Sequence, residues 1–564
     1  MFINKRYLGL DFSELAFSIF ASFMLLCSWL APNHGAPWLG FCQDVASFFG
    51  FLLLGYCVRG AISITLFECF FVFMAFIPIA QWLGGVIWFR GDAVICFFYI
   101  FVFALSICVG RNLVGRLGGS EEVLVFFFSL VLFAAIVSVW FSLRQWLRFD
   151  SVLWVVDLRP GGRPFANFAQ PNNYASFLLL AMAGVGYLFD RGRLGGVVSF
   201  FISLFLLFGV ALSQSRTPFV GGVFAVAWSF WAKGKIKVSY WSVGLFFSIY
   251  LGFFVAIPSL SEWLNIPASN LLDRVGALER LGLWAQMWGA IKDGPFWGYG
   301  WGQVSVAQTS AALLYPGVPI TEYSHNVVLD ILVWNGLVPG FFLLAVTCYF
   351  LINLAGRSGS SEALFCLLAV GFLSIHSLLE FPFAYAFFLF PVGLLLGVLE
   401  SEVKFRSVFS IKIKYMYGLF FVSIIVLFIF VLEYLRVEED YRLMRFESAG
   451  IGSVIHDEVA PEVIFMDQVS GYIRFARTPA TQGMSDDDLD FMRKISHRYP
   501  YSSSIFRYAL ALGLNGRASE AAHEMLILRS IYGDESYGEG VVALNEMESR
   551  YPRLGELIGR LPKL

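Results

Sequence analysis

Residues 122–142 read EVLVFFFSLVLFAAIVSVWFS, an apolar run whose single charge stands at its first position. The hydrocarbon core of a bilayer needs about 20 such residues in a helix to cross it. Because lipid offers no hydrogen bonds, a run of this kind spans as a helix, whose backbone groups pair internally. Similar runs recur up to residue 434. They predict an all-α polytopic membrane protein with about thirteen transmembrane helices.

The composition divides the chain in two. Of its 564 residues, 58% are hydrophobic and 14% are charged, whereas soluble chains carry about 25% charged residues. The deficit lies in residues 1–434, the predicted transmembrane domain, and residues 435–564 read as a soluble domain. A net charge of −2 without a basic face argues against a nucleic-acid partner.

The predicted spans are separated by short polar segments and by two long ones, 143–172 and 259–325. Long loops between packed elements are often functional. The spans are 13–31, 45–58, 61–80, 93–110, 122–142, 173–189, 195–212, 218–232, 241–258, 326–353, 361–379, 382–400 and 414–434.

The basic residues predict the orientation, because cytoplasmic loops are enriched in Lys and Arg. With a cytoplasmic N-terminus, every inner loop is basic, whereas outer loop 32–44 and the loop at residue 380 carry no Lys or Arg. We therefore expect a multi-pass inner-membrane protein whose residues 435–564 are periplasmic. The inner basic residues are Lys5, Arg6, Arg59, Arg111, Arg116, Arg191, Arg193, Lys233, Lys235, Lys237, Arg357, Lys404, Arg406, Lys412 and Lys414.

Helical patterns continue outside the spans. In the loop 259–325, apolar residues recur at helical spacing and predict an amphipathic helix on the membrane surface. In the tail, two apolar stripes flank the turn Asn515-Gly516 and predict a helical pair of the tetratricopeptide (TPR) kind. It is either a protein-docking surface or a packing cap. The loop pattern is Leu281, Trp284, Ala285, Trp288 and Ile291, and the tail stripes are Ile505, Tyr508, Ala509, Leu512, Ala521, Ala522, Met525 and Leu526.

Two outer segments carry unusual polar side chains. Residues 163–173, RPFANFAQPNN, combine prolines, amides and an arginine just before a span. Gln170 and the asparagines offer neutral donors and acceptors, with helix capping as the alternative role. Arg216, in SQSRTP (213–218), lies at the outer interface. An arginine there either snorkels or holds an anion, and its planar fork suits phosphate.

A histidine lies at a second outer position. His325, in YSHN (323–326), can exchange a proton near neutral pH, although an interfacial histidine is more often structural. Arg280 precedes the aromatic helix of the same loop, and the segment GYGWGQ (298–303) presents flat faces that suit sugar rings or lipid equally well. A late outer cluster contains His376, Ser377, Glu380 and Tyr385.

The sequence contains no GxGxxG fingerprint, Walker A motif, HExxH or GxSxG, so we expect no nucleotide cofactor. No pair of its eight cysteines has metal-ligand spacing with histidine, so we expect no metal site. Any energy for a reaction must therefore arrive with the substrate.

Together, RPFANFAQPNNYASFLLL, SQSRTPF, ERLGLWAQMW, GYGWGQ and YSHNVVLDILVWNGLVPG resemble the bacterial O-oligosaccharyltransferases, the pilin-glycosylation ligases of the PglL type within the O-antigen ligase and Wzy superfamily. The resemblance runs from about residue 150 to 400 and extends to the tail. It implies a GT-C-like helical bundle with a large periplasmic loop. Where the family often has glycine, this chain has Ala166 and Ala169, a change we do not expect to matter.

The resemblance also implies a reaction. The donor would be an undecaprenyl-diphosphate-linked oligosaccharide and the acceptor a Ser or Thr hydroxyl of a periplasmic protein such as a type IV pilin, without a metal. Matching motif to motif, His325 is the catalytic base, and Arg216 and Arg280 hold the diphosphate. Gln170, Asn172 and Tyr385 contact donor or acceptor.

Other functions remain open. An O-antigen ligase would use a lipid A-core acceptor, and a Wzy-type polymerase another glycan. A transporter or flippase would need polar residues near the bilayer midplane. Candidates for these are few, namely Asp330, Glu68 and Glu380.

Overall fold

The computed structural model describes residues 12–149, 154–267, 276–451 and 460–563. Within these ranges the regular secondary structure is almost entirely helical, as the sequence predicts. Lys5 and Arg6, on which part of the predicted orientation rests, lie outside the described residues, as do positions 150–153 and 268–275 of the two long outer segments.

The described part of the chain contains 21 α-helices. They are α1 (Phe12–Leu30), α2 (Phe41–Leu54), α3 (Leu66–Leu83), α4 (Arg90–Leu117), α5 (Ser120–Leu147), α6 (Pro171–Asp190), α7 (Gly196–Leu212), α8 (Thr217–Trp231), α9 (Tyr240–Trp263), α10 (Gly276–Asp293), α11 (Val304–Ala311), α12 (Val327–Asn335), α13 (Leu337–Arg357), α14 (Ser361–Ser377), α15 (Ala386–Glu402), α16 (Ile413–Ser448), α17 (Asp467–Arg477), α18 (Asp486–Arg498), α19 (Ser502–Leu514), α20 (Ala518–Glu548) and α21 (Leu554–Arg560).

The chain is a multi-pass membrane protein. Six described helices, α3, α4, α5, α9, α13 and α16, are long and apolar enough to cross a bilayer, and shorter apolar helices accompany them. Helix α5 contains the whole run 122–142. The total of about thirteen spans, the inner-membrane location and the orientation stay predictions.

A small sheet corrects the purely helical expectation. Strands β1 (Ala61–Thr65) and β2 (Ser407–Lys412) pair antiparallel, so the predicted span 61–80 begins as a strand and becomes α3 at Leu66. Ile62 and Ile64 alternate with small polar residues, the period of a strand. The side chain of Asn112 accepts a hydrogen bond from the Ser63 N–H at 3.0 Å. The partner strand is distant in sequence, so the apolar run 61–80 alone does not show that its first residues form a strand.

A glycine also divides the predicted span 326–353. Helix α12 ends at Asn335 and α13 begins at Leu337, because Gly336 adopts a left-handed φ of 81°. A Cβ at Gly336 would lie 2.0 Å from the Phe296 carbonyl oxygen. The apolar helix long enough to span is therefore α13 alone, and α12 precedes it as a separate short helix.

Backbone contacts group the chain into two units. The first comprises Met1–Met74, Tyr99–Leu271 and Cys348–Ile429, and the second comprises Ala75–Phe98, Leu272–Thr347 and Phe430–Leu564. The predicted boundary at residue 434, between a transmembrane domain and a soluble domain, is a different division and stays a prediction. The contacts place the C-terminal tail in one unit with much of the long loop.

Small residues allow close helix packing in the first unit. A Cβ at Gly397 of α15 would lie 1.9 Å from the Ile107 carbonyl oxygen of α4, and one at Gly393 would lie 1.9 Å from the Ser106 hydroxyl. Membrane helices associate through such small-residue interfaces, since lipid gives no hydrophobic force between them.

The second unit has an apolar core built largely from α17 to α21. Phe89 and Ala312, from the two other segments of the unit, join this core. The two predicted helices of the tail are present as α19 and α20, and the side chains of Ile505, Leu512 and Met525 are fully buried. That the pair is of the tetratricopeptide kind stays a prediction. A bidentate ion pair between Arg498 and Asp92, with both N–O distances 2.9 Å, ties α18 to the start of α4.

Gly397→Ala tests the close packing in the first unit. We expect a loss of roughly 1–3 kcal/mol of stability, because the methyl group forces α15 away from Ile107. The measurement is the thermal midpoint of the purified protein in detergent. Gly418→Ala in α16 is the control, since a Cβ there meets nothing within 4 Å. Equal midpoints for the two variants would contradict the packing.

Candidate active site

The amide-rich segment of the first unit is held by buried side-chain amides. Gln145 accepts hydrogen bonds from the N–H groups of Phe165 and Ala166 at 3.0 and 2.8 Å and donates to the Ala166 carbonyl at 2.6 Å. Asn167 is fully buried and donates to the Leu30 and Trp154 carbonyls at 2.7 and 2.9 Å. These bonds fix the segment before α6 begins.

The two alanines noted in the sequence occupy left-handed backbone. Ala166 has φ 51° and Ala169 has φ 61°, a conformation that glycine adopts without steric cost. The turn therefore forms with alanine in a conformation that glycine adopts more easily, and the hydrogen bonds with Gln145 stabilise it at Ala166. The sequence did not mark Gln145 as important, because its partners lie about 20 residues away.

Gln170 and Asn172 lie at the N-terminal end of α6 and differ in the hydrogen bonds of their side chains. Gln170 is the N-cap residue, but its side chain makes no capping hydrogen bond. Asn172 donates from Nδ2 to Glu380 at 2.8 Å and accepts from the Ser215 hydroxyl at 2.6 Å. Asn172 therefore joins the amide segment to the SQSR segment and to the late outer cluster, three separate sequence motifs. We call Asn172, Ser215 and Glu380 the polar triad.

Arg216 lies beside the polar triad and begins α8. Its side chain is exposed, and it forms neither an ion pair nor a hydrogen bond with any described residue. Ser213 and Ser215 next to it are buried. Arg163 donates to the Gln214 carbonyl at 3.4 Å, so a second guanidinium lies near the same segment. This arrangement offers cationic charge at the edge of an apolar bundle, a setting that favours an anion.

Tyr385 lies at the start of α15, five residues after Glu380. Its ring stacks on Phe381 at 6.1 Å between centroids. The buried carboxylate of Asp44 accepts the Ala386 N–H at 2.8 Å and the Trp38 indole N–H at 3.1 Å. Asp44 therefore caps α15 and fixes the position of Tyr385, a role that the sequence did not indicate.

In the second unit, His325 has a left-handed backbone with φ 57°. Such a conformation costs a non-glycine residue energy and is found at functional sites. Its neighbours hold it in place. Asp330 accepts the Ser324 N–H at 2.8 Å, Trp284 donates to the Ser324 carbonyl at 3.0 Å, and Asn326 caps α12. Nε2 of His325 lies 3.5 Å from the Thr321 hydroxyl.

Asp330 supports the histidine loop from the interior. Its side chain is fully buried at the first turn of α12. Burial raises the pKa of Asp330 to about 7, opposed by the hydrogen bonds from Ser324 and by the positive charge of His325. The carboxyl group therefore exchanges its proton in the same pH range as an ordinary histidine.

Arg280 lies on α10, one helical turn before Trp284. Residues four apart lie on the same face of a helix. Arg280 therefore lies on the same face of α10 as Trp284, whose indole N–H donates to the Ser324 carbonyl of the histidine loop. The predicted helix is confirmed, but its buried side is Leu283, Met287, Ala290 and Ile291. Leu281 and Trp288 of the predicted stripe are 58% and 51% exposed.

The glycine–aromatic segment has a packing role. Trp301 is buried, packs against Trp334 with 4.7 Å between the ring centroids, and donates to the Asn335 side chain at 3.0 Å. A Cβ at Gly298 would lie 2.4 Å from the Gly336 nitrogen. GYGWGQ thus supports the WNG turn behind α12, and the face of Trp301 is not open to a sugar. No group of metal-binding side chains is present among the described residues.

Comparison with known proteins adds to this geometry. The family described as protein glycosylation ligase matches residues 164–189, O-antigen ligase matches 201–345, and the C-terminal part of a virulence factor membrane-bound polymerase matches 364–544. A general O-oligosaccharyltransferase of Acinetobacter baylyi is 28% identical over 547 residues, covering 94% of this chain and 95% of that protein. A ComP-specific O-oligosaccharyltransferase of the same species is 26% identical over 453 residues, covering 78% and 80%.

The chain is similar to bacterial O-oligosaccharyltransferases over most of its length. The enzyme is a glycosyltransferase, and its residues 201–345 match the O-antigen ligase family. The matched regions contain Asn172, Ser215 and Glu380 of the polar triad, and also Arg280 and His325.

Asn172→Asp tests the polar triad. It places a carboxylate 2.8 Å from Glu380, and like charges repel. We expect glycan transfer to fall about tenfold or more, which corresponds to about 1.4 kcal/mol. Adding Glu380→Gln restores one donor and one acceptor, so the double variant should recover much of the lost activity.

Asn545→Asp is the matched control, because that exposed amide bonds only its own helix in the described residues. The measurement is the fraction of acceptor protein carrying glycan. A double variant no better than Asn172→Asp would contradict a direct bond between Asn172 and Glu380.

Proposed function

We propose that this enzyme transfers an oligosaccharide en bloc from an undecaprenyl-diphosphate carrier to a Ser or Thr hydroxyl of a periplasmic protein, such as a type IV pilin. The similarity to two O-oligosaccharyltransferases over most of the chain carries this proposal. One of these relatives is named as ComP-specific. The tail, with its TPR-like helical pair, would help to bind such an acceptor.

The proposed chemistry is a single inverting displacement. A base removes the acceptor hydroxyl proton, the oxygen attacks the anomeric carbon, and the lipid diphosphate leaves with the bonding electron pair. Attack from the face opposite the leaving group inverts the anomeric centre. The reaction needs no metal, since guanidinium groups can stabilise the charge that develops on the diphosphate.

The proposed roles rest on the surroundings of each residue. In the first unit, the side chain of Arg216 is exposed and forms no ion pair or hydrogen bond with the described residues, which supports diphosphate binding. Gln170, Asn172 and Tyr385 would contact donor or acceptor. In the second unit, the left-handed backbone of His325 and its support by Asp330 favour a base. Arg280, on the helix that holds the histidine loop, would bind phosphate.

A different acceptor defines the alternative function. The match of residues 201–345 to O-antigen ligase favours a lipid A-core acceptor, and the match of 364–544 to a membrane-bound polymerase favours a glycan. Deleting the gene separates these functions. Our proposal predicts a lighter pilin and unchanged lipopolysaccharide ladders, whereas altered ladders with unchanged pilin would support the alternative.

Transport has less support. The acidic residues considered for a midplane pathway are engaged in local structure. Glu380 bonds Asn172, Asp330 bonds the Ser324 N–H, and Glu68 accepts the Thr65 N–H.

His325→Asn tests the proposed base. Asparagine tolerates left-handed backbone better than most residues, so this variant keeps the loop shape while removing the proton acceptor. We expect transfer to fall about 10²- to 10⁴-fold, the usual contribution of a general base. His325→Ala should be equally inactive.

Intact mass of the acceptor protein, from cells that make the lipid-linked donor, measures the effect of the His325 variants. The exposed His523 of α20, changed to Ala, is the control. Undiminished glycosylation by His325→Asn would overturn the role of base.

Arg216→Ala and Arg216→Lys test the diphosphate role. A lost charge-assisted hydrogen bond should raise the half-saturating donor concentration roughly 10- to 100-fold. Lysine keeps the charge but loses the paired geometry, so we expect an intermediate value. The measurement is initial rate against donor concentration in detergent. A change in maximal rate alone, with unchanged half-saturation, would contradict ground-state binding by Arg216.

A further inference from the structure

In the second unit, the C-terminal tail is bonded to the segment that leads into the histidine loop. The Ser305 hydroxyl of α11 donates to the Arg498 carbonyl at the end of α18, at 2.9 Å. The Ser530 hydroxyl of α20 donates to the Ala312 carbonyl at 2.5 Å, and the Ser530 carbonyl accepts the Gly317 N–H at 2.7 Å. The segment from α11 to Gly317 is therefore bonded to the tail at both of its ends.

A break in α20 lies beside this contact. Gly533 has φ 81° and ψ −177°, a combination that essentially only glycine adopts. In a continuous helix, the Ser530 carbonyl would pair with the N–H four residues later. Here it accepts the Gly317 N–H of the loop. The break therefore coincides with the point where the tail offers a backbone acceptor to the loop.

Gln308 of α11 connects this segment to the start of the histidine loop. Its side chain is fully buried. Nε2 donates to the Gln286 side chain and to the Pro319 carbonyl, both at 3.1 Å. Oε1 accepts the Thr321 N–H at 2.8 Å. Both donors and the acceptor of this buried amide are therefore used, and two of the three bonds hold the backbone just before the histidine.

Thr321 lies between Gln308 and the proposed base. Its hydroxyl donates to the Tyr323 carbonyl at 2.9 Å, and the same oxygen lies 3.5 Å from Nε2 of His325. The left-handed backbone of His325 is costly and needs support from its surroundings. A displacement of Thr321 would therefore change the position of the His325 ring.

We propose that the C-terminal tail holds His325 in position for proton transfer, with Ser530 on α20 and Gln308 on α11 as the positioning residues. The inference rests on the proposed function and gives the tail a role in the maximal rate, besides acceptor binding. A misplacement of about 1 Å, even from a distant change, can cost roughly 10²-fold in rate. The tail can therefore control the reaction without touching a substrate.

A tail that only binds the acceptor would behave differently. Loosening it would raise the half-saturating concentration of the acceptor protein and leave the maximal rate unchanged. A short peptide that contains the glycosylated residue would be unaffected. A tail that positions His325, in contrast, changes the maximal rate with either acceptor.

Two variants loosen the connection from opposite sides. Gln308→Met removes the hydrogen bonds of the side chain with little change in its length, and Gly533→Ala disfavours the break in α20. Their controls are Gln482→Met, at an exposed glutamine, and Gly516→Ala, at a glycine with φ 80°. An added Cβ meets nothing within 4 Å at either glycine. Thermal midpoints of the full-length variants identify any that fail to fold, and either loosening variant suffices.

Initial rates are measured against the concentration of the acceptor protein and of the short peptide. We expect the maximal rate to fall about tenfold or more in the loosening variants with both acceptors, because the base is displaced. The controls should match wild type. An unchanged maximal rate, or a change confined to the half-saturating concentration of the protein, would overturn the proposal.

A His325→Asn background separates positioning from a general loss of structure. If the tail acts through the histidine, adding Gly533→Ala to His325→Asn should lower transfer by less than about twofold, since the two changes remove the same contribution. A further loss as large as in the wild-type background would contradict the positioning role.

Hydrogen exchange at the Thr321 amide keeps this inference separate from the reaction. That N–H is bonded to Gln308, so we expect its exchange to be about tenfold faster or more in the loosening variants and unchanged in the controls. Unchanged exchange in the loosening variants would overturn the connection between tail and loop. If exchange responds as expected but wild type transfers no glycan, the proposed function fails, whereas the docking of the loop on the tail stands.

Discussion

The paired hydrogen bonds of Asn172 are the constraint on which the first unit's site depends. One amide accepts from Ser215 at 2.6 Å and donates to Glu380 at 2.8 Å. It thereby joins the segments that contain Asn172, Ser215 and Glu380, which are far apart in sequence. Burying a carboxylate such as Glu380 is costly without a donor. The Asn172 amide supplies that donor, so the hydrogen bond that positions the site also offsets the cost of burying the Glu380 carboxylate.

Each unit combines a hydrogen-bonded support with a candidate functional side chain. In the first unit, Gln145 and Asn167 fix the segment before α6, and Arg216 extends from a neighbouring turn. In the second, Asp330 and Trp284 fix the turn that carries His325. A site built this way loses little entropy on binding substrate, because its groups are ordered beforehand.

Hydropathy predicted the helical class because an apolar run such as 122–142 has few ways to satisfy its backbone in lipid. The candidate residues Asn172, Arg216 and His325 were likewise visible as polar types at predicted boundaries. What escaped prediction depends on distant partners. Strand β1 pairs with residues about 340 positions later, and Gly336 breaks a span because Phe296 approaches it. The aromatic face of Trp301 looked available for a ligand until Trp334 was placed against it.

In the proposed reaction, a glycan moves whole from a lipid diphosphate to a protein hydroxyl. Purified enzyme, lipid-linked donor and acceptor protein, mixed in detergent without a nucleotide or a membrane gradient, test it directly by intact mass. We expect the acceptor to gain the mass of one complete oligosaccharide while undecaprenyl diphosphate is released in equal amount. An acceptor of unchanged mass, with the donor intact, would contradict it.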